Sequence, residues 1–154
     1  MTTQVLNAAD ATAIERPSTK VVTRWSTAAA RVALGLVFFG CGLTWFLNLV
    51  PPPSEPMSDG AMALAGGFMK AGYMFPLIKG IEVVAGLLLL SNRFVALALA
   101  ILAPLVVNIV AFHAFLAPSG LGMALFVLAL EIGLAWAYRS TYRPMLAMRL
   151  ARSV

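Results

Sequence analysis

Apolar residues run through the middle of the chain in four long stretches. These stretches cover residues 28–50, 72–90, 94–117 and 120–138. A helix rises about 1.5 Å per residue, so roughly 20 residues are enough to cross a hydrocarbon core about 30 Å thick. The prolines that begin at Pro51 end the first stretch. The pattern therefore predicts an all-α integral membrane protein, an up-down-up-down four-helix bundle formed by residues 25–138.

The connections between the stretches differ in length. Residues 91–93 and 118–120 are short links, which predict that helices two, three and four lie side by side in sequence order. Residues 51–71 are longer, and after the prolines they become small and apolar. We favour a helix that lies in the outer membrane interface for this segment. The alternative is an extension of the second span.

The two ends of the chain are polar. Residues 1–24 are predicted to be a disordered cytoplasmic tail followed by an uncleaved signal anchor, and residues 139–154 a basic cytoplasmic tail. The basic residues predicted on the side of the termini are Arg16, Lys20, Arg24, Arg31, Arg93, Arg139, Arg143, Arg149 and Arg152. The opposite side has only Lys70, with Glu55 and Asp59. Because cytoplasmic loops retain Lys and Arg, both termini are predicted inside.

Composition supports lipid as the solvent of the middle of the chain. The 154 residues are 61% hydrophobic and 11% charged, whereas about a quarter of a soluble domain is charged. The net charge is +5, and the basic residues flank the spans, so a nucleic-acid partner is not expected. The single Cys41 argues against thiol redox chemistry within one chain, and the lone His113 cannot supply two haem ligands. We expect no metal and no haem site in a single chain.

Four charged side chains fall inside the predicted spans, where each costs a few kcal/mol unless it is paired or faces a wet cavity. They are Arg31, Lys79, Glu82 and Glu131. Lys79 and Glu82 share a helix face, either as a structural ion pair or, as we favour, in a functional cavity. Arg31 either extends to lipid phosphates or pairs with Glu82 or Glu131. Glu131 is expected to face the same interior as Glu82, with Arg31 or Lys79 as its partner.

Glycines mark the helix faces that are predicted to meet. The stripe on the first span consists of Arg31, Gly35, Phe38, Gly42 and Trp45, and the stripe on the second of Gly72, Lys79, Glu82 and Gly86. Because glycines allow two helices to approach closely, we expect these two stripes to be in contact.

Further polar residues fall in the outer half of the spans. We expect Thr44, Asn48 and Asn108 to continue from Lys79 and Glu82 as a polar seam, which runs from the centre of the bundle toward its outer face under residues 51–71. His113 is favoured as a solvated interfacial residue. Pro104 can bend the third helix. The candidates for ligand binding or proton relay are Lys79, Glu82, Asn108, Glu131, Arg31, Asn48 and His113. No catalytic residue is assigned.

These residues resemble a known family. The run 76–90 with Lys79, Glu82 and Gly86, the later residues Arg93, Pro104, Asn108 and His113, and the glycines of the first span are similar to the DoxX family of small bacterial membrane proteins. The resemblance covers about residues 28–138. It implies a four-helix bundle in the bacterial cytoplasmic (inner) membrane, with association to quinone-linked oxidoreductase complexes. The paired cysteine of four-helix thiol oxidases is missing, which argues against disulfide chemistry.

The sequence leaves two functional hypotheses open. In the first, the protein is a membrane subunit of a quinone-linked redox system, and Lys79, Glu82 and Asn108 hold a quinone head group or relay its protons. In the second, it is a non-enzymatic anchor or assembly partner for another enzyme. A proton-coupled exporter is disfavoured because four helices have to oligomerise to form a pathway. The expected partners are the lipid bilayer, redox-complex subunits and a second copy of the chain.

Overall fold

The computed structural model describes residues 19–50 and 56–142, and every regular element in them is helical. The elements are α1 (Thr19–Phe46), α2 (Asp59–Ala71), α3 (Met74–Leu90), α4 (Val95–Phe115), a 3-10 turn (Pro118–Gly120), α5 (Leu121–Ala137) and α6 (Arg139–Tyr142). The all-α prediction is confirmed. The predicted tails lie outside the described residues except for two parts: α1 begins at Thr19, nine residues before the predicted span, and α6 opens the predicted basic tail.

Three segments are long and apolar enough to cross a membrane. They are Arg24–Phe46, Val95–Phe115 and Pro118–Ala137, with mean hydropathies of 1.6, 2.7 and 1.9. The pair α2 and α3 also passes this test, but the two helices are bent by 92° at the break between them. The described chain therefore has three candidate spans, or four if the bent pair counts as one, which suggests a membrane protein.

Two asparagines end helices in the same way. After α1, Asn48 takes a left-handed backbone conformation with φ 55°, and the Leu49 amide donates to the Thr44 carbonyl at 2.8 Å. After α3, Asn92 has φ 56°, and the Arg93 amide donates to the Leu88 carbonyl at 3.1 Å. Asparagine tolerates this conformation better than most residues, so each one closes its helix and satisfies the last carbonyls.

The helices α1 and α3 touch backbone to backbone. A Cβ atom on Gly86 would lie 2.5 Å from the Phe39 nitrogen and 2.9 Å from the Gly35 carbonyl oxygen. One on Gly42 would lie 2.8 Å from the Lys79 carbonyl oxygen. The predicted contact between the two glycine faces is confirmed. Gly72 is the exception, because it lies in the bend before α3 with φ 75° and no atom lies within 4 Å of the Cβ position.

The remaining contacts close a ring in which α3 packs on α4, α4 on α5, and α5 on α1. The largest fully buried side chains are Leu34, Leu89, Leu99, Leu102, Val106 and Leu134. Large apolar side chains also cover the outside, among them Trp25, Phe115 and Trp136. Soluble monomers rarely expose so much apolar surface, whereas lipid solvates it.

The helix α2 is attached at both of its ends. The Ser58 hydroxyl accepts a hydrogen bond from the Ala61 amide at 3.2 Å, which caps α2, and donates one to the Leu116 carbonyl at the end of α4 at 2.7 Å. At the other end, Gly72 supplies the positive φ of the bend. Because of the 92° bend, α2 is a separate helix and not a straight extension of the second span.

Candidate functional site

Lys79 and Glu82 form an ion pair on one face of α3. The Lys79 Nζ atom lies 2.8 Å from Glu82 Oε2 and 3.0 Å from Oε1. Glu82 is 4% exposed, whereas the Lys79 side chain keeps 22% of its surface open. It is the only ion pair within residues 19–50 and 56–142. The predicted mutual neutralisation is therefore present, and the lysine is the member that remains accessible.

The pair lies on the wall of a cavity of about 600 Å³ between α2, α3 and α4. Asn108 and His113 of α4 line the same cavity, so the tertiary structure brings together four of the seven candidate residues. The other lining residues are Met57, Leu64, Ala65, Phe68, Met74, Phe75, Ile78, Ile81, Ile101, Pro104, Leu105, Ile109 and Phe112. We call this space the Lys79 cavity. It is apolar apart from these few polar groups, which is typical of small-molecule sites.

Free hydrogen-bond donors remain in the Lys79 cavity. An ammonium group has three N–H donors, and Glu82 occupies two directions around Nζ, which leaves the third for a ligand. The exposed Asn108 amide makes no hydrogen bond to the described part of the chain. The cavity therefore offers a cationic and a neutral donor, a combination suited to carbonyl oxygens.

A second cavity, of about 840 Å³, lies beside the first. The two cavities share Lys79, Phe68 and Phe75 in their walls. The Phe75 ring is stacked with that of Trp45, with centroids 6.3 Å apart and an angle of 24° between the ring planes. The sequence did not reveal this cavity, because aromatic residues at helical spacing are also typical of simple packing. It gives a ligand bound at Lys79 a further apolar space.

Arg31 binds the end of α3. Its guanidinium group donates to the Leu89 carbonyl and, at 3.4 Å, to the Leu90 carbonyl. Of the two expectations, the carboxylate partner is wrong, whereas contact with a lipid phosphate stays a prediction. The last carbonyls of a helix lack internal partners and carry partial negative charge, so they attract a cation. Arg31 therefore holds α1 against α3 and is not part of the Lys79 cavity.

Glu131 lies away from Lys79. It is 5% exposed, and its Oε2 atom is buried with no hydrogen-bond partner. It lines a separate cavity of about 510 Å³ between α4 and α5. The expected pairing with Arg31 or Lys79 is wrong, because neither cation forms an ion pair with Glu131. A shared site with Glu82 is wrong as well, because the two glutamates line different cavities against different residues of α4.

The two remaining candidates have local roles. Asn48 is exposed at the end of α1 and lines neither cavity beside Lys79. His113 is half-buried, and its Nδ1 atom donates to the Ala117 carbonyl at 3.0 Å. A side chain on Gly120 would overlap the imidazole ring. His113 is thus packed against the turn after α4, which differs from the solvated interfacial residue expected from the sequence.

Tyr142 is a residue that the sequence analysis missed, because it falls in the predicted tail. Its hydroxyl donates to the Ala96 carbonyl of α4 at 2.9 Å, and it lines the Glu131 cavity. Burial raises the pKa of the Tyr142 phenol, and the charge of Glu131 raises it further. The phenol therefore remains a neutral donor that ties α6 to α4.

Comparisons with protein families, curated proteins and solved structures found no match. Within the described residues, no group of three or more His, Cys, Asp or Glu side chains is placed to hold a metal ion.

Proposed function

We propose that the protein is a DoxX-like four-helix protein of the bacterial inner membrane, with both termini in the cytoplasm, which binds a quinone as a subunit of a redox complex. The observation that carries this proposal is the Lys79–Glu82 pair on the wall of an apolar cavity that also presents Asn108. An intramembrane charge pair beside such a cavity is a functional pointer by default.

A quinone suits this cavity chemically. Its ring is apolar and its two carbonyl oxygens accept hydrogen bonds, which the third N–H of Lys79 and the Asn108 amide are able to donate. Reduction of a quinone takes up two electrons and two protons. The partner complex supplies the electrons in this proposal, while Glu82 and Lys79 pass on protons. A volume of about 600 Å³ lies in the usual range of small-molecule sites.

The binding test measures quinone that copurifies with the protein in mild detergent. We expect Asn108→Leu to lower the bound quinone about tenfold, since it removes one donor of about 1.4 kcal/mol but leaves the ion pair intact. Lys79→Met with Glu82→Gln, which keeps the site neutral, should remove the quinone. Lys70→Met, on the exposed surface of α2, is the control that should retain it. Wild-type protein without quinone, or equal quinone in all variants, would contradict the proposal.

One observation favours the second candidate, a non-enzymatic anchor. Glu82 is neutralised within its own helix, as expected for a pair that serves only the packing of α3. An anchor without a ligand should bring down the same partner proteins from mild detergent whether or not Asn108 and Lys79 are replaced. The quinone-binding subunit should also keep its partners, but unlike the anchor it should carry quinone, which these replacements remove.

The proposed orientation has its own test. In a Cys41→Ser background, single cysteines at Ser91 and Ser119 occupy exposed positions in the turns before and after α4. A membrane-impermeant maleimide should label the Ser119→Cys protein in intact spheroplasts and the Ser91→Cys protein only after permeabilisation. The reverse result would overturn the orientation. Equal labelling of both in intact spheroplasts would show that α4 does not cross the membrane.

A further inference from the structure

We propose that the cavity around Glu131 is a second binding site, separate from the Lys79 cavity, and that it takes a lipophilic cation in exchange for a proton. The proposal does not depend on quinone binding. It rests on a buried carboxyl group that has no counter-charge and on the apolar space that this group lines.

The shape of the site comes from α4 and α5. The space of about 510 Å³ is lined by eight apolar residues of these two helices, together with Glu131 and Tyr142. Ala100, Ala103, Val107 and Ile132 are exposed, so the cavity opens on the outer surface of the helices. An occupant therefore has to be apolar and of small-molecule size, and it enters from the surrounding apolar phase.

The charge of the site determines whether the occupant is neutral or positively charged. Lys79 pairs with Glu82, and Arg31 binds carbonyls of α3. Arg139 of α6 donates to the Trp136 carbonyl and lies over the Trp136 ring. The Tyr142 hydroxyl donates to Ala96. A carboxylate in an apolar site is costly without a cation, and the two ways to neutralise it are a proton or a positively charged ligand.

The position of the carboxyl group favours a cation with a diffuse charge. Glu131 Oε2 is buried with no hydrogen-bond partner, and Tyr142, the only other polar side chain on the wall, already donates its hydroxyl to the Ala96 carbonyl. A cation with several N–H donors would therefore find few acceptors in this cavity. Coulomb attraction is strong in such a medium because the effective dielectric constant is low. A quaternary cation surrounded by apolar groups meets this condition, since it has no N–H that needs a partner.

The experiment measures binding of tetraphenylphosphonium to the full chain in detergent by equilibrium dialysis and calorimetry. We expect saturable binding at one site per chain, release of up to one proton per bound cation, and weaker binding as the pH falls. Glu131→Gln should weaken binding at least tenfold, whereas Asn108→Leu, in the other cavity, should leave it unchanged. The neutral analogue triphenylphosphine oxide should not distinguish wild-type protein from Glu131→Gln.

Two further measurements keep the test decisive. Ala103→Trp should fill the cavity and abolish cation binding while Glu131 itself is retained. Circular dichroism and gel filtration establish that each variant is folded. Binding that is the same in Glu131→Gln and wild-type protein, or that does not occur at all, would overturn the proposal. Equal affinity for the neutral analogue would also overturn it, because the site would then be only an apolar groove.

Discussion

Replacement of Gly86 by alanine should cost about 3 kcal/mol or more of unfolding free energy, which is at the upper end for an overpacked site. The new Cβ would lie 2.5 Å from the Phe39 nitrogen and 2.9 Å from the Gly35 carbonyl oxygen. Both are backbone atoms, so no flexible side chain can move to relieve the overlap. The helices α1 and α3 would have to separate, and the hydrogen bonds of Arg31 to the end of α3 would be lost with them.

The matched control is Gly80→Ala in the same helix. No atom lies within 4 Å of a Cβ at Gly80, and alanine is a better helix former than glycine by about 1 kcal/mol. Gly80→Ala should therefore unfold at the same temperature as the wild type or at a higher one. Unfolding in detergent, followed by circular dichroism, checks both variants. Equal stability of Gly86→Ala and Gly80→Ala would show that α1 and α3 are not in backbone contact.

The second large effect is expected at the ion pair of α3. Lys79→Met leaves the buried Glu82 carboxylate without a partner and should cost about 3–5 kcal/mol. Glu82→Gln leaves Lys79 unpaired. This variant should cost less unfolding free energy than Lys79→Met, because the lysine keeps 22% of its side-chain surface open. The double variant removes both charges and should be more stable than either single variant, so the losses are not additive.

Expression and unfolding temperature of the two single variants and the double variant measure this coupling. Glu131→Gln is the control carboxyl group, because Glu131 Oε2 has no hydrogen bond to lose, and its stability should change by no more than about 1 kcal/mol. Strictly additive losses for Lys79→Met and Glu82→Gln would mean that each residue has a separate partner.

The features that the sequence predicted depend on spacing along one helix or on helix length. Lys79 and Glu82 are three residues apart, so α3 brings them together whatever surrounds it. The long apolar stretches predicted the bounds of α3, α4 and α5 to within two residues, because apolar length is a local property, whereas α1 begins nine residues before its predicted span. The spacing of the glycines also predicted that the face of α1 with Gly42 contacts the face of α3 with Gly86, since small residues mark the side on which helices approach.

The tertiary structure decided the features that depend on how helices rotate and bend. Glu131 and Asn108 both lie on apolar helices with little polar asymmetry, so the sequence did not reveal that they line different cavities. Arg31 found a helix end instead of a carboxylate, because the free carbonyls of α3 exist only where its backbone ends. The bend at Gly72, which brings α2 over the Lys79 cavity, depends on one backbone angle and on a hydrogen bond from Ser58 to a distant helix.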